Sequence, residues 1–333
     1  MAKYTILKAW SELEGFIPLI VSPSNSTILT NKFEIDFSVC ESVDSCGATA
    51  FLLKTLQYLN RNNVNACWKT NTSFDDARIL PDLIELGFFL LIQPRYEGFT
   101  QKQQQKKLFD APGNIDYFTP KSECLCSSSN GIKKQSLPII RIPFHKFERR
   151  RDAIKEFKQY LFEAFDKYSD GNSSEVVQTI FILYELAKNT ADHTNGDAFF
   201  GVDFIISPNH KINFLYGDLG CGIKQNITSY LRSIKDPRCE RFSLADAYHE
   251  AFKEKFTTRP DSGENFGMGL NTVLESAKAN SIQLSVFDAS SRGLLSHFDR
   301  LSHGELRKCF LATQRNIPFC YFGSFGVLKH DTS

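Results

Sequence analysis

The strongest constraint on the fold is an ordered set of three short segments in the second half of the chain. ELAKNTADH carries Glu185, Asn189 and His193. GDLGCGI carries Asp218, Gly220, Gly222 and Ile223. GENFGMGL carries Gly263, Gly267, Met268, Gly269 and Leu270. Two strand-like runs, AFFGVDFIIS and KINFLYGD, lie between the first and second segments, and a helix-like run, NTVLESAKAN, follows the third. The order is therefore acidic/amide helix, two strands, Asp-Gly turn, long variable segment, glycine loop, helix. That conjunction carries more weight than any one segment.

Glu185, Asn189 and His193 are spaced i, i+4, i+8, so on a helix they share one face. Asn is a poor residue for a helix interior, because its amide competes with the backbone. Its presence among Phe181, Ile182, Leu183, Leu186 and Ala187 therefore asks for a reason. A side-chain carbonyl oxygen suits a hard cation such as Mg²⁺, which also takes phosphate oxygens. A glutamate one turn away can orient and deprotonate an attacking water or hydroxyl. The same spacing also fits an exposed polar stripe on an amphipathic helix. Asp218 closes a strand and enters a turn in which Gly220 and Gly222 allow close backbone approach. A carboxylate there can accept from an adenine amino group, although D-x-G is also common in ordinary turns. Glycines directly before NTVLESAKAN place free N–H groups and a positive dipole end at a helix start. That is a phosphate site or a plain helix N-terminus.

The 333 residues suffice for two ordinary domains. A formal charge of +1 gives no electrostatic reason to expect nucleic acid or an anionic membrane as a partner. Lys133-Lys134 and Arg149-Arg150-Arg151 read as solvated linker and helix-end positions. MAKYTILKAWSELEGF has no long apolar stretch, and no run reaches the roughly 18 to 20 apolar residues that span a bilayer. Nine cysteines, an odd number, with only the C-x-C of Cys124 and Cys126 closely spaced, indicate reduced thiols rather than a zinc site. A cytoplasmic protein is the expectation.

The first 97 residues read as alternating strands and helices. Phe33, Ile35, Phe37 and Val39 alternate with polar residues as in a strand. ATAFLLKTLQYLNR places Leu52, Leu56 and Leu59 on one helical face. Val64, Ala66 and Trp68 predict another strand, DDARILPDLIEL another helix, and FFLLI a final buried strand. This alternation implies βαβ units and a mostly parallel sheet. Residues 98–140, with QKQQQKK, PGN and ECLCSSSNG, read as a linker or mobile excursion. After Pro143 comes a long amphipathic helix with Phe157, Leu161, Phe165 and Tyr168 as core. A second helix is opened by Ser173, Ser174 and Glu175 as caps. The two strands after it turn around Pro208-Asn209.

The ordered motifs resemble those of the GHKL superfamily of ATPases, which includes gyrase, histidine kinases, anti-sigma-factor kinases and heat-shock chaperones. ELAKNTADH looks like its N box, DLGCGI its first G box and GENFGMGL its second, over roughly Phe144 to Val327. The resemblance implies Mg-ATP as ligand, with Glu185 as general base and Asn189 as Mg²⁺ ligand. It further implies Asp218 as adenine anchor, Gly220, Gly222 and Ile223 beside it, and Gly267, Met268, Gly269 and Leu270 as phosphate loop. His193 and LADAYHEAFKEKFTTRPDSGENFGMGL are most similar to the anti-sigma-kinase branch, in whose lid Thr258 and Arg259 would face the phosphates. Met268 departs from the small or aliphatic residue usual there, which leaves the backbone role intact. FEIDFSVCESVDSCGATAFLL is similar to the strand, turn and helix of STAS domains. The phosphoacceptor of that family would fall on Cys46, which cannot become a phosphoserine, and Ser45 is out of register. A structural STAS-like module follows.

The expected protein is thus α/β, with a STAS-like domain in residues 1–97 and a linker in 98–140. An α/β-sandwich ATPase domain of Bergerat (GHKL) type then fills residues 141–333. It would use Mg-ATP to phosphorylate a serine or threonine of a partner protein, itself STAS-like in that branch. Alternatively it would hydrolyse ATP as a conformational switch acting on homodimerisation or partner contacts. A nucleotide-holding scaffold needs no base such as Glu185. A sensor histidine kinase needs a two-helix hairpin that the chain lacks.

Overall fold

The computed structural model describes residues 2–5, 32–36, 43–62, 65–69, 80–92, 125–129, 132–144, 150–168, 174–194, 196–207, 211–253, 258, 269–280, 282–287, 296–297 and 320–326. The chain has helices and an open antiparallel sheet, a general α/β architecture. Three N-terminal strands, β1 (Ala2–Thr5), β2 (Lys32–Asp36) and β3 (Asn65–Lys69), pair in parallel in the order β1-β2-β3. The larger sheet contains β4 (Leu125–Ser129), β5 (Ile132–Ser136), β6 (Ile140–Ile142), β7 (Ala198–Ser207), β8 (Lys211–Asp218), β9 (Gln283–Phe287), β10 (Ser296–His297) and β11 (Cys320–Gly326). Its order is β10-β9-β11-β8-β7-β5-β4, and β6 shares the edge of β7 with β5. Between β5 and β6 stands the buried Pro138, which has no N–H for a ladder. Leu137 N–H bonds Val202 O at 2.9 Å and carries the pairing across the break.

The central strands are covered on both sides. Along β7, Ala198, Phe200, Val202 and Phe204 face one core, and on β8 Ile212, Phe214 and Tyr216 join them. Helices α4 (Arg150–Tyr168), α5 (Ser174–His193) and α8 (Gly269–Ala279) supply the other half of that core. Phe157, Leu161 and Phe165 of α4 are fully buried in it, as the helical spacing predicts. The opposite face of β7 carries Gly201 and Asp203, and there α1 (Ser45–Asn62) crosses. A Cβ on Gly201 would lie 2.5 Å from Thr49 Oγ1 and 2.6 Å from Ser45 O, so only glycine admits the helix this close.

The sequence reading departs from the structure in three places in the fold, and at Arg150 beside the site. FFLLI is the short helix α3 (Phe88–Ile92), not a strand. It follows α2 (Leu80–Glu85) after Gly87 at φ 75°, and Phe88 stacks on Phe51 of α1 with ring centroids 5.2 Å apart. A five-residue apolar run has no period long enough to separate strand from helix. The stretch 98–140 contains β4 and β5, whose residues are too polar to show strand alternation but pair with each other and with β7. Lys134, read as solvated, is 4% exposed, because its strand face points at Asp44. Phe37, Val39 and the turn at Pro208-Asn209 lie outside the described residues.

Between the second and third motifs, α6 (Ile223–Ser233), a 3-10 turn (Pro237–Glu240) and α7 (Leu244–Ala251) form a small unit. Ile227, Leu231, Phe242 and Ala247 are its own core. Ser243 caps α7 through a capping box with Asp246, and Arg238 pairs with Asp236 at 2.7 Å and Glu250 at 3.5 Å.

Candidate functional site

Helix α5 is apolar on the sides that meet the sheet and its neighbouring helices, with Val176, Ile180, Leu183, Ala187 and Ala191 buried. Glu185, Asn189 and His193 form a stripe along it, each partly buried. Helix α8 packs beside it and brings Gly269, its first residue, onto Asn189. A Cβ at Gly269 would lie 2.9 Å from Asn189 Oδ1 and 3.1 Å from Nδ2. The Nδ2 atom is buried and has no hydrogen-bond partner among the described residues. Leaving such a group unpaired costs about 1–3 kcal/mol.

Asp218 is at the end of β8 and 5% exposed. Its Oδ1 accepts from Gly220 N–H at 2.7 Å, and its Oδ2 accepts from Thr190 Oγ1 at 3.3 Å. Gly220 is required by the fit: a Cβ there would stand 2.5 Å from Thr194 Cβ and 2.7 Å from Asp218 Oδ1. Gly196 meets Leu219 in the same way, with a hypothetical Cβ 2.6 Å from its carbonyl carbon. Gly222 has φ 80° and leads into α6, a conformation that side chains disfavour. Ile223, the first residue of α6, packs against both the main core and the small unit. Leu270 packs against the main core.

His193 ends α5, and its Nδ1 lies 3.2 Å from Thr258 Oγ1. Two residues 65 apart in sequence are thereby joined across the segment between the second and third motifs. Asn271 Nδ2, in the first turn of α8, donates to Phe252 O at 3.1 Å just after α7. Burial raises the Glu185 carboxyl above its ordinary pKa; Lys188, with Nζ 3.9 Å away, opposes this and Asp192 adds to it. The structure thus groups Asn189 with Gly269, Asp218 with Gly220, and His193 with Thr258. Arg259, Gly263, Gly267 and Met268 lie outside the described residues.

Four contributors were not visible from the motifs. Thr190 and Thr194 follow Asn189 on α5 and reach the Asp218 turn. Gly196 admits that turn. Arg150, read as solvated, has an Nη1 that donates to Ala191 O at 2.7 Å and Thr194 O at 2.8 Å, and so caps the C-terminal end of α5. Spacing alone gives no sign of such pairings, because each joins segments far apart in sequence. Among the described residues no cluster of three or more His, Cys, Asp or Glu side chains is placed to hold a metal. A Mg²⁺ held chiefly by phosphates and one protein oxygen needs none. No protein-family model, curated protein or solved structure matches the chain.

Proposed function

We propose that the protein is a Mg-ATP-dependent signalling enzyme of GHKL type, which transfers phosphate to a serine or threonine of a separate partner protein. The observation that carries this is the position of Asn189. Its unpartnered amide lies on Gly269 at the start of α8, while the next residue of the same helix touches Asp218. One helix thus touches both glycine-containing motifs, as a nucleotide spanning a base site and a phosphate site requires. The layering of α4, α5 and α8 on an antiparallel sheet supports a Bergerat-type domain, and the parallel β1-β2-β3 sheet supports a STAS-like module.

Asn189 would offer its side-chain Oδ1 to Mg²⁺, which takes oxygen ligands, while its unpartnered Nδ2 is a donor that suits a phosphate oxygen beside the same positive helix end. Bound Mg²⁺ would supply charge neutralisation on the phosphates. Asp218 accepts from the base amino group. Glu185, whose raised pKa makes it a stronger base than an exposed glutamate, takes the proton of the attacking hydroxyl. Thr258 is tied to His193 at the end of α5.

A second function is favoured by the Thr258–His193 and Asn271–Phe252 contacts, which tie α5 and α8 to residues between the second and third motifs: ATP hydrolysis as a switch that transmits nucleotide state to a partner or a second copy. The test is titration of ATP with and without Mg²⁺ on wild type, Asp218→Ala and Glu185→Ala, followed by phosphate release. Mg-dependent binding lost in Asp218→Ala and kept in Glu185→Ala, with turnover about 10²–10⁴-fold lower in the latter, supports the assignment. Release of free phosphate without a partner favours the switch. Absence of ATP binding by the wild type overturns both functions.

A further inference from the structure

We infer that Thr190 is the positioning residue that aims Asp218 at the nucleotide base, and that its hydroxyl sets the preference for a 6-amino purine. The inference rests on the proposed nucleotide site and adds a residue of the first motif to which the i, i+4, i+8 spacing gives no role. The carboxylate is held at both oxygens. Gly220 N–H fixes Oδ1 at 2.7 Å, and Thr190 Oγ1 stands 3.3 Å from Oδ2. A carboxylate only accepts, so the Thr190 hydroxyl donates. One donor would leave the group free to rotate about its Cβ–Cγ bond; two on different oxygens fix its plane. Thr190 is itself 3% exposed and part of α5, so its χ1 is restricted by β-branching within a packed helix.

Aim matters because base discrimination is directional. A fixed acceptor rewards a base that presents an amino hydrogen and repels one that presents a carbonyl oxygen at that position. A site built to hydrogen-bond a substrate group discriminates strongly against analogues lacking it. The same helix turn carries Asn189 against Gly269, so Thr190 also fixes the base site relative to the phosphate site. Thr194, one turn on, presses its methyl group against the Gly220 turn and gives Gly220 N–H its place. The two threonines differ in role: Thr194 packs on the turn, and Thr190 bonds the carboxylate.

The experiment compares binding of ATP with that of purine riboside triphosphate, which lacks the 6-amino group, and of GTP. It uses the full chain as wild type, Thr190→Val, Thr190→Ala, Thr190→Ser, Asp218→Asn and the Thr190→Val/Asp218→Asn double variant. Thermal melting is followed alongside. The expected result is a wild type that prefers ATP, a Thr190→Val variant that loses about tenfold of that preference, and a Thr190→Ser variant that keeps it. In the Asp218→Asn background the Thr190→Val change should have no further effect on preference, because Thr190 acts through the carboxylate. If Thr190→Val fails to fold, Thr190→Ala gives the same comparison with less bulk at the site. Full preference in a folded valine or alanine variant overturns the role of Thr190 and leaves the nucleotide site standing. An equal loss with and without Asp218 also overturns it, since a merely structural role gives that result. A wild type that binds no triphosphate overturns the site itself.

Discussion

The two faces of the central strands differ in how densely their buried polar groups are connected. On the α1 face, Asp44, Ser45, Cys46, Thr49, Lys134, Ser136 and Asp203 are buried and have partners, and beside Asp203 the buried Asn213 has an Oδ1 without one. Asp203 accepts from Ser45 N–H at 2.9 Å, Cys46 N–H at 3.0 Å and Ser136 Oγ at 2.5 Å. Asp44 accepts from Gly47 N–H at 2.7 Å and pairs with Lys134 at 2.7 Å. A carboxylate 158 positions along the chain thus caps the first turn of α1, where the helix dipole favours a negative charge. On the α5 face, Asn189 Nδ2 is buried beside a helix start without such a partner. A satisfied buried network fixes structure, whereas an unsatisfied buried amide costs stability and contributes no bond of its own.

The comparison also explains the N-terminal turn. Cys46 is fully buried, its thiol bonds Gly201 O at 3.6 Å, and burial with nearby Asp203 and Asp44 holds its pKa well above the ordinary thiol range. Ser45 is equally buried, and its Oγ accepts from Val202 N–H at 3.1 Å. Neither presents a group that a kinase can reach.

The largest effect expected on this comparison comes from Asp203→Ala. It removes the acceptor of two backbone N–H groups and a hydroxyl, and it leaves the Asp44–Lys134 pair without a second carboxylate. A loss of about 3–5 kcal/mol in stability follows, measured by urea unfolding. A loss below about 1 kcal/mol would mean that α1 does not dock on β7 through this network.

A smaller effect is expected from pH. Burial, with Asp203 adding and Lys134 opposing, pushes the Asp44 carboxyl from 3.8 up to about 6. Burial alone would lower the Lys134 ammonium, but Asp44 and Asp203 outweigh it and raise its pKa. Below about pH 6 the folded chain holds a proton on Asp44 that the unfolded chain releases until about pH 4. Stability from this group is therefore full below pH 4 and lost as pH rises through 6, by about 2–3 kcal/mol at most. Asp82, raised to about 6 by burial and then Glu85, titrates in the same window. Unfolding free energies from pH 4.5 to 7.5 should show the slope, with Asp44→Asn reducing it and Asp82→Asn removing a separate part. An unchanged slope in Asp44→Asn would place the proton elsewhere.

The legibility of the two faces differed for the same physical reason. The α5 stripe, the Asp218 turn and the glycine start of α8 were readable because each is local: a 3.6-residue spacing, a strand end, a glycine before a helix. The α1 face was not. Lys134 reads as a solvated charge and Asp203 as one polar residue in an apolar strand, until a helix from the other end of the chain supplies their partners. β4 and β5 were missed because Leu125–Ser129 and Ile132–Ser136 have too few apolar residues to alternate, and their pairing with β7 is a tertiary fact. Thr190 and Arg150 were missed on the same ground.

The smallest stability effect, and the sharpest contrast with Asp203, is expected from Asn189→Ala. Removing the amide deletes a buried donor that has no partner, so no hydrogen bond is lost with it. Alanine also has a higher helix propensity than asparagine, by about 0.5 kcal/mol. Against these stands a small cavity beside Gly269, which costs on the order of 1 kcal/mol. The terms nearly cancel, and a change within about 1 kcal/mol of wild type follows in the same urea experiment. ATP binding should then lose its Mg²⁺ dependence while Asp218 still holds the base. A large destabilisation would show that the Asn189 amide is part of the core after all, held there as tightly as the Asp203 network holds α1.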